Sequence, residues 1–154
     1  MQPDTADTKE WLRNSGWSET RQVDTTEAVR HLEKSGYRVF PVVTGFLREF
    51  GGLQFPAVSA FEEVDRYRLK VDPVELTRYH PRRLFAVFEE ALGRPICPIA
   101  LALNGSAAIV MDEAGRSYMT DESVLLHIAD CSFEALRIVC TTNLSELSTV
   151  LELG

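Results

Sequence analysis

Three apolar runs in close succession constrain this chain more than anything else in it. Residues 97–103, 107–111 and 116–119 read as strands, and they are separated by Asn104-Gly105 and by Asp112-Glu113-Ala114-Gly115. Both separators are hairpin chemistry, because Asn, Asp and Gly tolerate the positive φ angles that tight β-turns demand. Strands joined by turns this short pair antiparallel. The spacing therefore predicts an antiparallel meander, and Val124 to Ile128 extends the apolar pattern as either a strand or a helix.

Helical spacing dominates the residues before it. Val43, Phe46, Leu47 and Phe50 stand at i, i+3, i+4 and i+7 within Pro41–Phe50, which predicts a core helix ended by Gly51-Gly52. Leu53 and Phe55 then open an alternating segment read as a strand. Asp24-Thr25-Thr26-Glu27 has the spacing of a capping box and starts a helix running to about Lys34, with Ala28, Val29 and Leu32 on one face and Gly36 at its end. Asp7 or Thr8 caps a short lid helix carrying Trp11 and Leu12, stopped by Gly16. Tyr67, Leu69 and Val71 alternate with Arg66, Arg68 and Lys70, a half-exposed strand with one basic face that ends at Asp72-Pro73. Beyond a loop, Pro81–Leu92 places Leu84, Phe85, Phe88 and Leu92 on one helical stripe before Gly93. After the meander, Ser132–Cys140 predicts a helix, and a second one, capped by Asn143, passes through Leu144, Leu147 and Leu151. Helices and strands are segregated along the chain, so the expected class is α+β, with helices packed on a mainly antiparallel sheet. At 154 residues, 45% of them hydrophobic, one domain over 1–154 is expected.

Several function classes are disfavoured. The formal net charge is −7, the opposite of the basic footprint with which proteins neutralise phosphates, so direct nucleic-acid binding is not expected. The interleaved Arg78-Tyr79-His80-Pro81-Arg82-Arg83 reads as a solvated loop. The opening residues lack a basic start followed by an apolar stretch, and the longest apolar runs fall far short of the roughly 20 residues that span a bilayer. Neither export nor membrane insertion is expected. Three cysteines, Cys97, Cys131 and Cys140, are odd in number, and Cys97 and Cys140 lie in apolar runs, which suits reduced thiols in a cytoplasmic protein. His127 with Cys131 is the best metal-ligand pair, and two ligands do not make a site. No Gly-x-Ser-x-Gly occurs, and neither His80 nor His127 has a partner that would make it a catalytic base. Glu62-Glu63, Glu89-Glu90, Asp112-Glu113 and Asp121-Glu122 are adjacent carboxylates that diverge on any regular element. No catalytic, metal or cofactor residues are assigned.

The acidity is uneven. Residues 1–96 carry 15 acidic and 14 basic side chains, a balance of −1, while residues 97–154 carry 8 and 2, a balance of −6. An acidic surface suits a basic partner, and the candidate contact residues are Asp112, Glu113, Asp121, Glu122, Asp130 and Glu134, placed in turns or near element ends.

The order of signals is more specific than any one of them. Gly16-Trp17 and Arg21 precede the capped helix; Gly36-Tyr37 and the block Phe46-Leu47-x-x-Phe50-Gly51-Gly52-Leu53 follow; then come Asp72-Pro73, Pro98-Ile99 and Asp112-x-x-Gly115-x-x-Tyr118. Together, over about residues 10–135, they resemble the SUKH immunity-protein superfamily, specifically its third subfamily. Ala100 stands where that family often has glycine. The resemblance implies an α+β domain that binds and neutralises a bacterial polymorphic or contact-dependent toxin, many such toxins being nucleases or nucleic-acid deaminases, or alternatively a regulatory protein-binding scaffold. It implies no enzyme activity and no cofactor. Read from the residues themselves, Gly16, Trp17, Phe46, Phe50, Gly51, Gly52 and Leu53 specify the fold rather than the target.

Overall fold

The structure is a computed structural model that describes residues 5–56, 67–121, 123–141 and 147–152. Seven strands form one sheet in chain order: β1 (Gln54–Pro56), β2 (Tyr67–Lys70), β3 (Ile96–Ala102), β4 (Ala107–Asp112), β5 (Ser117–Thr120), β6 (Val124–Ala129) and β7 (Ser148–Glu152). Every neighbouring pair is antiparallel. The described residues also form six helices: α1 (Thr5–Asn14), α2 (Thr26–Lys34), α3 (Pro41–Phe50), α4 (Pro73–Tyr79), α5 (Arg82–Leu92) and α6 (Ser132–Thr141). The fold is α+β, with helices packed on an antiparallel sheet as the segregation of elements predicts.

The central strands fall where the turn residues set them. Cys97 pairs with Met111, and Ile109 with Met119. Every residue of β3, β4 and β5 is buried, so both faces of the sheet's centre are covered. The first turn is a 3₁₀ turn, Leu103–Gly105, with positive φ at both of its ends. In the second, a Cβ on Gly115 would stand 3.2 Å from Val42, so the bare glycine lets this turn press against the start of α3.

Packing explains which helices form. α3 buries Val43, Phe46, Leu47 and Phe50, the predicted stripe. α3 and α4 lie against β3, α6 lies against β6 and reaches β2, and α2 packs on α4. A continuous apolar cluster joins them, from Leu12 on α1 to Val139 on α6.

Five local readings are corrected. α1 begins at Thr5, so Asp7 and Thr8 lie within it, and the full burial of Leu12 makes the segment part of the core rather than a lid. The capping box does not form: Thr25 takes the N-cap position without a side-chain bond. Asp24 instead accepts the hydroxyl and N–H of Thr26, at 2.6 and 2.9 Å, which holds its carboxyl below the ordinary carboxylate range. The loop expected after β2 contains α4, capped by Asp72, which accepts the Glu75 N–H at 3.0 Å; His80, expected in a solvated loop, is buried. The basic face of β2 is not open, since Arg68 donates to the Val139 carbonyl at 2.8 Å and Lys70 pairs with Glu75 at 2.6 Å; Arg66 lies outside the described residues. Finally, the last expected helix is replaced by β7, with Leu151 opposite Leu125; Asn143 and Leu144 lie outside the described residues. A strand prevails there because β6 would otherwise present a row of unpaired N–H and C=O groups.

Candidate partner-binding surface

The distinctive motif residues converge on one junction and face inward. Gly16 has φ +106°, and a Cβ there would meet Leu53 at 3.2 Å. Trp17, only 5% exposed, stacks on Phe50 with ring centroids 6.3 Å apart and planes inclined by 12°. Its indole N–H donates to Glu49 at 3.0 Å. Arg21 donates to the carbonyls of Glu49 and Gly51 at 2.9 and 2.8 Å, satisfying acceptors that the end of α3 leaves open. Gly51 has no room for a side chain, because a Cβ would sit 2.4 Å from the Leu47 carbonyl oxygen, and Gly52 turns the chain at φ +83°. Phe46 lies 5.1 Å from Phe50, completing an aromatic column.

The six candidate contact residues do not share one situation. Asp112 leaves the candidate surface: it is 1% exposed. One of its oxygens accepts the N–H groups of Ala114 and Arg116, both at 3.0 Å. The other accepts the Tyr118 hydroxyl at 3.0 Å and faces Arg116 at 3.1 Å and Arg94 at 3.4 Å. Burial, and then donation to this carboxylate, raises the Tyr118 pKa above its ordinary value. Glu113, the next residue, is exposed and meets Arg38 at 3.7 Å. Asp121 is exposed and accepts the Ser123 and Val124 N–H groups at the start of β6. Asp130 is exposed beside His127, 3.0 Å away. Glu134 pairs with Arg137 on α6, a contact that lowers the Glu134 pKa and raises that of Arg137. Glu122 lies outside the described residues. Thus both cations of residues 97–154, Arg116 and Arg137, are bound to acids of the same part. One acid was missed from the sequence: Glu152 is exposed and pairs with Val124, at the end of β6 where Asp121 lies. Its signal was hidden by the helix expected there.

The histidines show no catalytic arrangement among the described residues. His80 bonds to the Gly105 carbonyl at 3.1 Å and His127 to Asp130. His31 approaches the Thr77 hydroxyl at 2.7 Å, the distance of a base from a nucleophile, but that hydroxyl donates to the Val74 carbonyl, so the imidazole is a donor to it. Cys97 is fully buried, and burial pushes its thiol up to about 12. No cluster of three metal-ligating residues occurs among the described residues, and none of their helices is long and apolar enough to cross a membrane.

The void between α6, α3 and the sheet, lined by Phe46, Ile99, Ile109, Leu136 and Val139, has a volume of about 10 Å³, room for a single water. An open groove of about 430 Å³ runs along Glu33, Tyr37, Arg38, Phe40 and Pro41 to Glu113. It is a surface over which another macromolecule can lie, not an enclosed ligand site.

Residues 5–142 match the family model described as SUKH-3 immunity protein. No curated protein and no solved structure compared with the chain gives a match.

Proposed function

Since the chain belongs to the SUKH-3 immunity protein family, we propose that it neutralises a bacterial polymorphic or contact-dependent toxin by binding it, in the cytoplasm and without catalysis. The toxin acts on nucleic acid through a basic cleft, and the acidic surface of the C-terminal part competes for that cleft. The observation that supports this reading is that the two cations of residues 97–154, Arg116 and Arg137, are paired with Asp112 and Glu134, while Glu113, Asp121 and Asp130 are exposed, Glu113 with a solvent-exposed contact to Arg38 at 3.7 Å. Glu122 and Glu134 belong to the same stretch, and Glu152 extends it. Long-range attraction then accelerates encounter, while specificity rests on close contacts. Co-expression with the toxin encoded beside this protein restores growth and yields a co-purifying complex; rescue with no complex rules out inhibition by binding. Changing Glu113, Asp121, Glu122 and Glu134 together to alanine slows association by about tenfold at low salt and flattens its dependence on ionic strength. A wild-type rate and salt slope would place the interface elsewhere.

A further inference from the structure

Helix α5 carries its charges against its own dipole. Arg82 and Arg83 open it and Glu89 and Glu90 close it, with no acid in the first turn and no base in the last, whereas a helix favours the reverse. One residue of each sign is accounted for within the chain. Arg82 lies over the Tyr37 ring, 4.5 Å from its centroid, donates to the Gly36 carbonyl at 3.2 Å and pairs with Glu89 at 2.5 Å. The second oxygen of Glu89 accepts the Ile96 N–H at 2.9 Å. Arg83 and Glu90 have no such explanation: both are exposed, and neither has an ion pair or hydrogen bond among the described residues.

The surface between them is apolar. Ala86, Val87 and Ala91 are exposed and stand three, four and eight residues after Arg83, on the stripe that also carries Glu90. Val87 is 44% exposed and Tyr79, just before the helix, is 64% exposed, more than any other large apolar side chain described.

We propose that this stripe is a contact between two copies of the chain, with α5 packed antiparallel on α5 of the second copy about a two-fold axis. An axis passing between positions 86 and 87 sets Arg83 opposite Glu90 of the other copy, and Glu90 opposite its Arg83. It sets Ala86 against Val87, a small side chain receiving a larger one. The antiparallel dipoles favour each other, and each misplaced charge meets its opposite, so a pattern unfavourable in one copy is satisfied in two. Such a contact is isologous and closes at a dimer. None of Glu113, Asp121, Asp130 and Glu134 lies on α5. One helix face with a flanking tyrosine buries less than the roughly 1,000 Å² of a lasting interface, so the dimer is weak and reversible.

Sedimentation equilibrium of the full chain from about 10 µM to about 1 mM tests this. The apparent mass of the wild type rises from the 17.3 kDa monomer toward twice that value. R83E and E90R each set like charges face to face and weaken association by about tenfold or more, whereas R83E/E90R restores it to within about threefold. Each single reversal also corrects the charge pattern for the helix dipole, so loss of association cannot be ascribed to loss of the fold. A wild type that stays monomeric throughout, an R83E variant that associates as well as wild type, or a double variant that stays as weak as the singles overturns the proposal.

Discussion

The junction around Trp17 and the turn around Asp112 are both built from distinctive sequence blocks, yet they use charge in opposite ways. At the junction the stabilising contact is aromatic, Trp17 on Phe50, and the charged Arg21 and Glu49 sit at its edge to tie a loop to a helix end. At the turn the carboxylate itself is the centre, buried to 1% and neutralised by arginines whose far ends reach solvent. The difference shows that acidity in the second half of the chain serves two purposes. One carboxylate organises a hairpin, while its immediate neighbour Glu113 projects from the same turn.

The sharpest test separates those two neighbours. Asp112→Ala removes the acceptor of two backbone N–H groups, the Tyr118 hydroxyl and Arg94, and the counter-ion of Arg116, and lowers unfolding free energy by about 3 kcal/mol. Glu113→Ala, which loses an exposed pair at 3.7 Å, changes it by less than about 0.5 kcal/mol. Denaturant titration of both variants measures the gap, and equal effects would erase the distinction. At the junction, two glycines of one helical region supply the contrast. Gly51→Ala forces a methyl against the Leu47 carbonyl and costs about 2 kcal/mol. Gly45→Ala, within α3 and with nothing inside 4 Å, stabilises by about 0.5–1 kcal/mol through helix propensity. Thermal melts of the pair should move in opposite directions.

A subtler contrast concerns the sheet centre beneath both regions. Burial raises the Cys97 thiol from 9.0 to about 12, so the folded chain holds this proton more tightly than the unfolded one. The resulting stability is complete below about pH 9 and is lost progressively as pH climbs toward 12. Between pH 8 and 10, Cys97→Ala should therefore lose about 1 kcal/mol less unfolding free energy than wild type; identical losses would show that this thiol does not set the alkaline limit.

Periodicity and turn chemistry made the frame legible. The stripe of α3 and the Asn-Gly and Asp-x-x-Gly turns prescribe elements whose local preferences and burial agree. α4 escaped because its seven residues bury only Pro73 and Leu76, too short a stripe to register, although Asp72-Pro73 followed by Glu75 carried a helix-start signal. β7 was misread because Leu147 and Leu151 fit helical spacing as well as a strand, and only the open side of β6 decides between them. The candidate surface was legible as excess charge but not as geometry. Nothing in Asp112-Glu113 as a dipeptide reveals that the first turns inward to Arg94, a residue 18 positions upstream.

The meander also governs how the chain can acquire its structure. From β3 to β6 each strand pairs with the one made just before it, across turns of a few residues, so each ladder closes a short loop at small entropic cost. Contacts this local favour rapid formation, and during synthesis a strand can dock as soon as it clears the ribosome, without awaiting a distant segment. α3 and α4 are already made when β3 emerges and can cover it at once. α6, which packs on β6 and reaches β2, is made after the meander and completes the cover, and β7 is the last strand to pair.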